Sequence, residues 1–404
     1  MLTCCVKPVS RPHAKTETMP RVNHEILKWA RESAGLSLDE AARALGLGGA
    51  KAVARLADME AGEREPTRRQ LTKMAEKYRR PILAFYLTEP PAPGPRVQDF
   101  RTLRDRPPGS QPLIDALVRN VTVRQALIRS ALADVEEEEP LPFVGSMRVE
   151  QGPEAIARAM AATLQVDLAD YRAKGTIDEA FRFLREAVER AGVYVILMGN
   201  LGHHSTKIDP KVFRGFALAD LVAPFIVINE NDSRSAWTFT LLHELAHVFL
   251  GQGGISGYDG DERIEQVCDR AAADFLLRPE ELKQLRAREL PMEELLEAAG
   301  TFAVARKVSR KMVAYNLLKI GEVTRAVYQQ LSEHFDRERL ESAQRRPGGA
   351  VDYYVVRRHR IGAGLTRLVE RLVAAGALTS PKAGRVLGVK ATAVGKMTAG
   401  PQAA

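Results

Sequence analysis

Apolar residues recur at helical spacing in the first part of the chain, in short runs that glycines interrupt. Ile26 and Leu27 begin one such run, which ends at Gly35. Ser37 then precedes Glu40 by three residues, which is the spacing of a capping box at the start of a second helix. Short helices joined by glycine-containing turns predict a helix-turn-helix bundle. Of the four predicted helices, two end near residues 35 and 46, one spans residues 50–59 and one begins at residue 67.

Beyond the prolines at residues 90–95, helical and strand patterns are mixed. Successive prolines favour extended backbone and cannot continue a helix, so the first domain is expected to end there. Short apolar runs predict three strands between stretches of helical periodicity. The predicted helices lie at residues 113–135, 153–164, 177–191, 237–249, 302–320, 323–340 and 364–375, and the predicted strands at residues 193–198, 213–219 and 225–229.

The predicted fold class is α+β, in a mostly helical multidomain chain. The C-terminal region is expected to serve oligomerisation or regulation with its arginines in solvent, and a turn at residues 387–389 hints at another helix-turn-helix. The predicted domains are a helix-turn-helix bundle at 20–89, a linker and spacer helix at 90–145, a domain with a small sheet at 146–300 and a helical C-terminal region at 301–404.

Composition narrows the class of protein. The 404 residues are 45% apolar and 27% charged, which is ordinary for a folded globular chain. The apolar stretches fall far short of the ~20 residues that a membrane helix needs. Three cysteines suit a reducing compartment, so we expect a cytoplasmic protein without membrane attachment. A net charge of +8 permits attraction to nucleic acid.

One segment carries residues suited to metal chemistry. It reads His243-Glu244-Leu245-Ala246-His247 within an apolar helical pattern. Histidines four residues apart lie one helical turn apart on the same face, at a separation suited to a single tetrahedral ion. Glu244 lies beside them, where it can take a proton from water. The segment therefore predicts a hydrolase that binds one Zn²⁺ per chain, with Glu244 as a catalytic residue.

A catalytic zinc site needs a third protein ligand, and the next predicted helix supplies acidic candidates. Glu265 is the preferred ligand, and Glu262, one turn earlier, is a geometric alternative. Asp269 is expected on the same helix face as Glu265, where it could accept a hydrogen bond from the second nitrogen of a histidine ligand. Cys268 is expected to pack in the core.

Three further residues could contribute to the site from loops. Tyr258 lies in the glycine-rich turn at residues 251–260, where its O–H could stabilise a developing oxyanion. It could equally be a surface residue of that turn, although we count it with Glu244 as catalytic. His203 and His204 fall in a polar loop and are expected at the surface, from which the loop could still line a cleft.

At these residues the chain resembles the ImmA/IrrE family of metallopeptidases. That family's pattern is His-Glu-x-x-His followed by a helix with Glu-x-x-(Ala/Cys)-Asn. The second part here runs from Glu265 to Asp269, with Asp in place of the usual Asn. The resemblance covers about residues 190–280. It implies a peptidase that cuts a helix-turn-helix repressor or antitoxin in response to stress or another inducing signal.

The first domain resembles the Xre-type helix-turn-helix found fused to such peptidases, through residues 29–31, 34–37 and 66–71. Residues 63–80 hold seven basic side chains and three acidic ones, so this region could contact phosphates. The third helix offers few donors for reading bases, and a module that pairs with another repressor-like domain would explain the fold equally well. The predicted nucleic-acid-binding residues are Lys51, Arg55, Arg64, Arg68 and Arg69.

Two functions of different class remain open. The first is a zinc-dependent endopeptidase coupled to transcriptional regulation, with a helix-turn-helix repressor or antitoxin as substrate, DNA as a second partner and homo-oligomerisation as a further expectation. The second is a DNA-binding regulator whose metal domain senses a ligand or zinc and cuts no peptide bond. The carboxylate of Glu244 favours the enzyme, because zinc binding alone does not require it.

Overall fold

The chain divides between Ala92 and Pro93 into two compact units, each described by itself below. None of the described helices combines the length and the apolar surface needed to span a membrane. The computed structural model describes residues 21–91, 111–202, 206–252, 262–344 and 352–399.

The first unit is a helix-turn-helix bundle of short helices, as predicted. Both of its capping boxes form: Ser37 accepts a hydrogen bond from the backbone N–H of Glu40, and Thr67 does the same for Gln70. Apolar side chains from every helix meet in one core. The elements are α1 (His24–Ser33), α2 (Leu38–Ala44), α3 (Ala52–Glu60), α4 (Arg68–Lys77) and a 3-10 helix (Ile82–Tyr86).

A nearly buried ion pair joins α1 to α3 in this unit. The Nε of Arg31 lies 2.8 Å from Oε1 of Glu60, and its Nη2 lies 2.9 Å from the other carboxylate oxygen. The remaining Nη1 donates to the carbonyl of Leu36 at 2.8 Å. Lys73 of α4 donates to the carbonyl of Leu45 at 2.7 Å, which satisfies the end of α2. These bonds fix the positions of α2 and α3.

The second unit is built around a small sheet with the strand order β1-β3-β2. β1 pairs with β3 in parallel, and β2 pairs with β3 antiparallel. Side chains alternate across a strand, so Ile226 and Ile228 enter one core while Phe225 and Val227 enter another. The strands of this sheet are β1 (Tyr194–Leu197), β2 (Gly215–Leu218) and β3 (Phe225–Ile228).

Helices cover both faces of the sheet. The core that contains Ile226 also includes side chains of the helices between residues 153 and 344, and the core that contains Phe225 includes α5 and the C-terminal helices. The helices are α5 (Gln111–Asp134), α6 (Pro153–Leu164), α7 (Leu168–Arg172), α8 (Ile177–Arg190), α9 (Arg234–Phe249), α10 (Glu262–Leu276), α11 (Pro279–Lys283), α12 (Met292–Arg306), α13 (Arg310–Lys319), α14 (Arg325–Gln344), α15 (Tyr353–Ile361), α16 (Ala363–Ala374), α17 (Ser380–Leu387) and α18 (Val394–Thr398).

The predicted α+β fold class is confirmed, and the strands lie within the predicted ranges. The helix predicted over residues 302–320 is wrong as a single element, because Lys307 adopts a left-handed backbone (φ 56°) and Ser309 caps a new helix, α13. Between the helices predicted at 323–340 and 364–375 lies a glycine- and arginine-rich segment, residues 345–349, which falls outside the described residues. The four domain ranges stay predictions.

The arginines that the sequence places in solvent in the C-terminal region divide into two groups: Arg367 is exposed as expected, whereas those of α15 are half-buried. Arg357 is half-buried, and its Nε donates to the carbonyl of Leu387 at 2.9 Å, which joins α15 to α17. The buried side chain of Arg185 in α8 donates to the carbonyl of His359 at 2.6 Å. These bonds hold the C-terminal helices to the rest of the unit.

Candidate metal centre and helix-turn-helix surface

The helix that carries the two predicted histidine ligands is buried along most of its length. α9 follows β3 directly, and from Trp237 to Phe249 all but one of its residues are buried. Polar side chains in such a place cost free energy unless other groups pair with them. The two histidines and the glutamate between them are therefore expected to have a functional reason to be there.

The imidazole rings of His243 and His247 face each other across one helical turn. Their Nε2 atoms lie 3.1 Å apart, and the side chains are only 1% and 4% exposed. Two ring nitrogens at this distance, pointing into one buried space, are placed to share a single cation.

The carboxylate of Glu265 completes this cluster from α10. Its Oε2 lies 3.3 Å from Nε2 of His243, and its Oε1 lies 3.1 Å from Nε2 of His247. Ligand atoms in a tetrahedral zinc site with bonds of about 2.0–2.1 Å lie about 3.3 Å from one another. The donor set and its spacing therefore fit Zn²⁺. The alternative ligand, Glu262, is exposed and lies outside this cluster.

Two further interactions prepare the cluster for a cation. Nδ1 of His243 lies 2.9 Å from Oδ1 of Asp269, which orients the ring and leaves Nε2 for the metal. Burial raises the pKa of Glu265, but when the rings of His243 and His247 are protonated, their hydrogen bonds and charges outweigh burial and bring the pKa down to about 2. The carboxylate is therefore ionised at neutral pH, as a metal ligand must be.

Glu244 lies against the first residue of β2. It is 4% exposed, and a Cβ atom added to Gly215 would lie 3.0 Å from its Oε1 and 2.6 Å from Cγ2 of Thr240. Only glycine leaves room for this approach. Gly215 has no role at the site among the sequence predictions, and the only signal for one is a glycine at the start of a buried strand.

Tyr258, His203 and His204 lie outside the described residues. The oxyanion role of Tyr258 and the surface location of the two histidines stay predictions. Cys268 is buried in the core, as expected.

The predicted nucleic-acid-binding residues differ in their surroundings. Arg55 is half-buried, and its Nη2 donates to the carbonyl of Gly48. The first turn of α3 exposes Val53 and Ala54, which offer no hydrogen-bond donor to a base. The exposed cations of the predicted set are Lys51, Arg64, Arg68 and Arg69.

Two family models match the chain. Residues 188–318, which include α9 and α10, match the model described as IrrE N-terminal-like domain, a peptidase family. Residues 27–85, which include most of the first unit, match the model described as helix-turn-helix. Neither a curated protein nor a solved structure matches the chain. The chain therefore joins a segment similar to helix-turn-helix domains to a segment similar to the IrrE N-terminal-like peptidase domain, in the order that the sequence predicts.

Proposed function

We propose that the second unit is a zinc-dependent endopeptidase that cleaves a helix-turn-helix repressor or antitoxin. The observation that carries this proposal is the cluster of His243, His247 and Glu265, with the carboxylate of Glu244 on the same buried helix as the histidines. Within the described residues the cluster offers three protein ligands, the number typical of catalytic zinc, whereas structural zinc has four. The peptidase-family match of this segment supports the same assignment.

Each side chain of the cluster has its own task. His243, His247 and Glu265 would hold a zinc ion, which would supply polarisation of the scissile carbonyl and a lower pKa for water, towards ~7. Asp269 would keep His243 in the tautomer that binds through Nε2. Glu244 takes the proton from water and passes it to the leaving amine. Tyr258 is the proposed donor to the oxyanion.

The helix-turn-helix domain gives this peptidase a route to its substrate. Its exposed cations lie at the start of α3 and around the start of α4, where they are available to DNA phosphates. A peptidase carried to a promoter meets the repressors bound there at high local concentration. We therefore include DNA as a partner, a cytoplasmic location and a response to an inducing stress signal in the proposal. Homo-oligomerisation stays a prediction.

Cleavage of helix-turn-helix proteins encoded beside this chain tests the proposal. We expect the wild-type protein with zinc to cut one of them and Glu244→Gln to lose the activity while it still binds zinc. Glu262→Gln is the matched control, because Glu262 is an exposed carboxylate outside the cluster, and it should cleave at the wild-type rate. Unchanged cleavage by Glu244→Gln would refute the mechanism.

The same assay separates the enzyme from a metal-sensing regulator. The sensor is favoured by the combination of a three-residue metal cluster and a helix-turn-helix domain in one chain. It predicts that zinc changes DNA affinity while no candidate protein is cut. Zinc-dependent cleavage that Glu244→Gln abolishes would exclude the sensor as the sole function.

DNA binding has a separate test in its salt dependence. We expect Arg68→Gln and Arg69→Gln together to weaken binding to all sequences and to reduce the slope of log affinity against log salt by about 1 per lost phosphate contact. Lys28→Gln, an exposed change outside the predicted interface, should leave the slope unchanged. Absence of binding at low salt would instead favour a domain that pairs with another repressor-like protein.

A further inference from the structure

A cavity of about 850 Å³ opens at the carboxyl ends of β1 and β3. Residues just after the two parallel strands form part of its wall, namely Met198 and Asn200 to Gly202 after β1 and Asn231 after β3. Side chains of α5, α15 and α17, Lys207 and the turn at residues 388–390 provide the rest, and no side chain of the metal centre lines it. Ligands of open α/β sheets bind at the carboxyl ends of parallel strands, and this volume is typical of small-molecule sites.

The wall of this cavity is strongly basic. No aspartate or glutamate lines it within the described part of the chain. Glu230, which lies outside the lining, accepts a hydrogen bond from Nε of Arg360 and offsets one of the positive charges. A concave surface with this excess of one sign concentrates anions. Its cationic lining residues are Arg124, Lys207, Arg357, Arg360, Arg385 and Lys390.

Arg124 is the most informative of these cations because it is 3% exposed. Its Nε donates to Asn120 at 2.9 Å and its Nη1 to the carbonyl of Val386 at 2.9 Å, so the guanidinium is held in place. Among the described residues it forms no ion pair with a carboxylate. Burial and then the like charges of Arg357 and Arg385 lower the pKa of Arg124 to about 9, which leaves it charged at neutral pH.

The fold brings the guanidinium groups together at Gly388. This residue has a left-handed backbone (φ 65°), and a Cβ atom added to it would clash with Nη2 of Arg357 and lie 3.1 Å from Nη2 of Arg124. Glycine is therefore required both by the backbone angle and by the close approach of two cations. A buried charge that lacks a counter-charge destabilises the folded state, and a bound anion would offset that loss.

We propose that this cavity binds a small molecule that carries two or more phosphate groups. Arginine forks match the oxygens of phosphate, and several cations within one cavity favour several negative charges over one. Tyr353 lines the cavity and is 59% exposed, so its ring offers a surface on which a nucleoside base can stack. Nucleoside polyphosphates and inorganic polyphosphates share the chemistry that the site recognises.

Calorimetric titration of the full-length chain with pyrophosphate, ATP and adenosine tests this proposal. We expect both phosphate compounds to bind with one site per chain and adenosine alone to give no heat. Tighter binding of ATP than of pyrophosphate would show that the nucleoside contributes, and equal binding would show that the phosphates suffice. Either result supports the proposal, whereas binding of neither compound overturns it.

Two variants of α17 distinguish binding in the cavity from non-specific attraction by the positive charge of the protein. Arg385 and Lys382 are both exposed on this helix, but only Arg385 lines the cavity. Arg385→Gln should weaken pyrophosphate binding roughly tenfold, because a charge-assisted hydrogen bond is lost. Lys382→Gln should leave the affinity unchanged. Equal weakening by both variants would mean that net charge alone attracts the ligand, which overturns the proposal.

Thermal unfolding of one variant tests the buried cation, and a competition experiment tests whether the cavity binds DNA instead of phosphate compounds. Arg124→Met removes the buried cation, and pyrophosphate should then no longer raise the Tm as it does in the wild type. A raised Tm in this variant would contradict the proposal.

The competition experiment uses a duplex DNA of random sequence bound to the full-length chain. ATP should not displace this DNA. If DNA binds in a manner that depends on Arg385 while ATP and pyrophosphate do not bind, the cavity serves nucleic acid and the proposal fails.

Discussion

At the scale of single residues, the cluster on α9 and α10 shows which contacts a sequence pattern can indicate. The spacing of His243 and His247 predicts a shared ion because a helix has a fixed pitch, and their Nε2 atoms lie 3.1 Å apart. The position of Glu265 depends on how two helices pack, and the sequence left Glu262 open for that reason. The close approach of Gly215 to Glu244 joins a strand to a helix and has no local signal strong enough to predict it.

Gly215 offers the sharpest test of this local packing. Gly215→Ala places a methyl group 2.6 Å from Cγ2 of Thr240, one turn before Glu244 on α9, and 3.0 Å from both Oε1 of Glu244 and the carbonyl of Val227. We expect a loss of stability of about 1–3 kcal/mol from overpacking and a larger loss of peptidase activity, because Glu244 must shift. Gly395→Ala is the control, since its added Cβ meets nothing within 4 Å. Denaturant unfolding and the cleavage assay measure the two effects, and full activity in Gly215→Ala would contradict this role.

Asp269 allows a second prediction at this scale. Asp269→Ala removes the carboxylate that lies 2.9 Å from Nδ1 of His243, so zinc affinity should fall about 10–100-fold. Asp269→Asn keeps an oxygen that can accept the same hydrogen bond, and it should retain most of the affinity. Competition with a chromophoric chelator measures both variants. Equal losses would show that the negative charge, rather than the hydrogen bond, supports the ligand.

At the scale of elements, periodicity and capping residues predict most helices and all the strands of the described sheet. Ser37 and Thr67 each cap the helix that the sequence assigns to them. The sequence predictions are wrong at positions where tertiary contacts determine the environment of a side chain or the end of a helix. α15 carries a run of basic residues that a sequence alone places in solvent, but Arg357 bonds the carbonyl of Leu387 across 30 residues of chain. The break between α12 and α13 depends on the left-handed backbone of Lys307. A lysine gives no sequence signal for this conformation, so the break could not be predicted.

The ion pair between α1 and α3 leads to a prediction about the helix-turn-helix unit. Glu60→Gln leaves the nearly buried guanidinium of Arg31 with only the longer, 3.4 Å contact to the exposed carboxylate of Glu32, and we expect a loss of about 3 kcal/mol in the free energy of unfolding of this unit. Glu63→Gln, an exposed change just beyond α3, should have almost no effect. Thermal unfolding followed by circular dichroism checks both, and DNA binding should fail at a lower temperature only in Glu60→Gln.

At the scale of the whole molecule, the peptidase match ends at residue 318, but helices beyond that residue still pack in the core of the second unit. One core includes the face of the sheet formed by Ile196, Phe216, Phe225 and Val227 together with side chains of the C-terminal helices. A prediction from the sequence treats residues 301–404 as a separate helical region. No local pattern reports which face of a sheet a distant helix covers, so this association could not be predicted.

Truncation tests this association. Deletion of residues 345–404 leaves only α5 over the face of the sheet that carries Phe225 and Val227, and the shortened protein should aggregate because apolar surface of the sheet and of α5 is exposed. Deletion of residues 1–92 removes no side chain from either core of the second unit and should leave a folded, zinc-binding protein. Size-exclusion chromatography compares the two. A monomeric product from the first deletion would show that the sheet tolerates solvent on that face.

The central strand β3 has a consequence for how this protein can change over time. Its four residues contribute alternately to the layer with the histidines and to the layer with the basic cavity. A larger or smaller side chain at any one of them alters the packing of one layer and shifts the backbone that both layers share. Substitutions in the two layers are therefore expected to occur together among homologues. A chimera that takes each layer from a different homologue should fold poorly unless both layers pack well against the same β3 side chains.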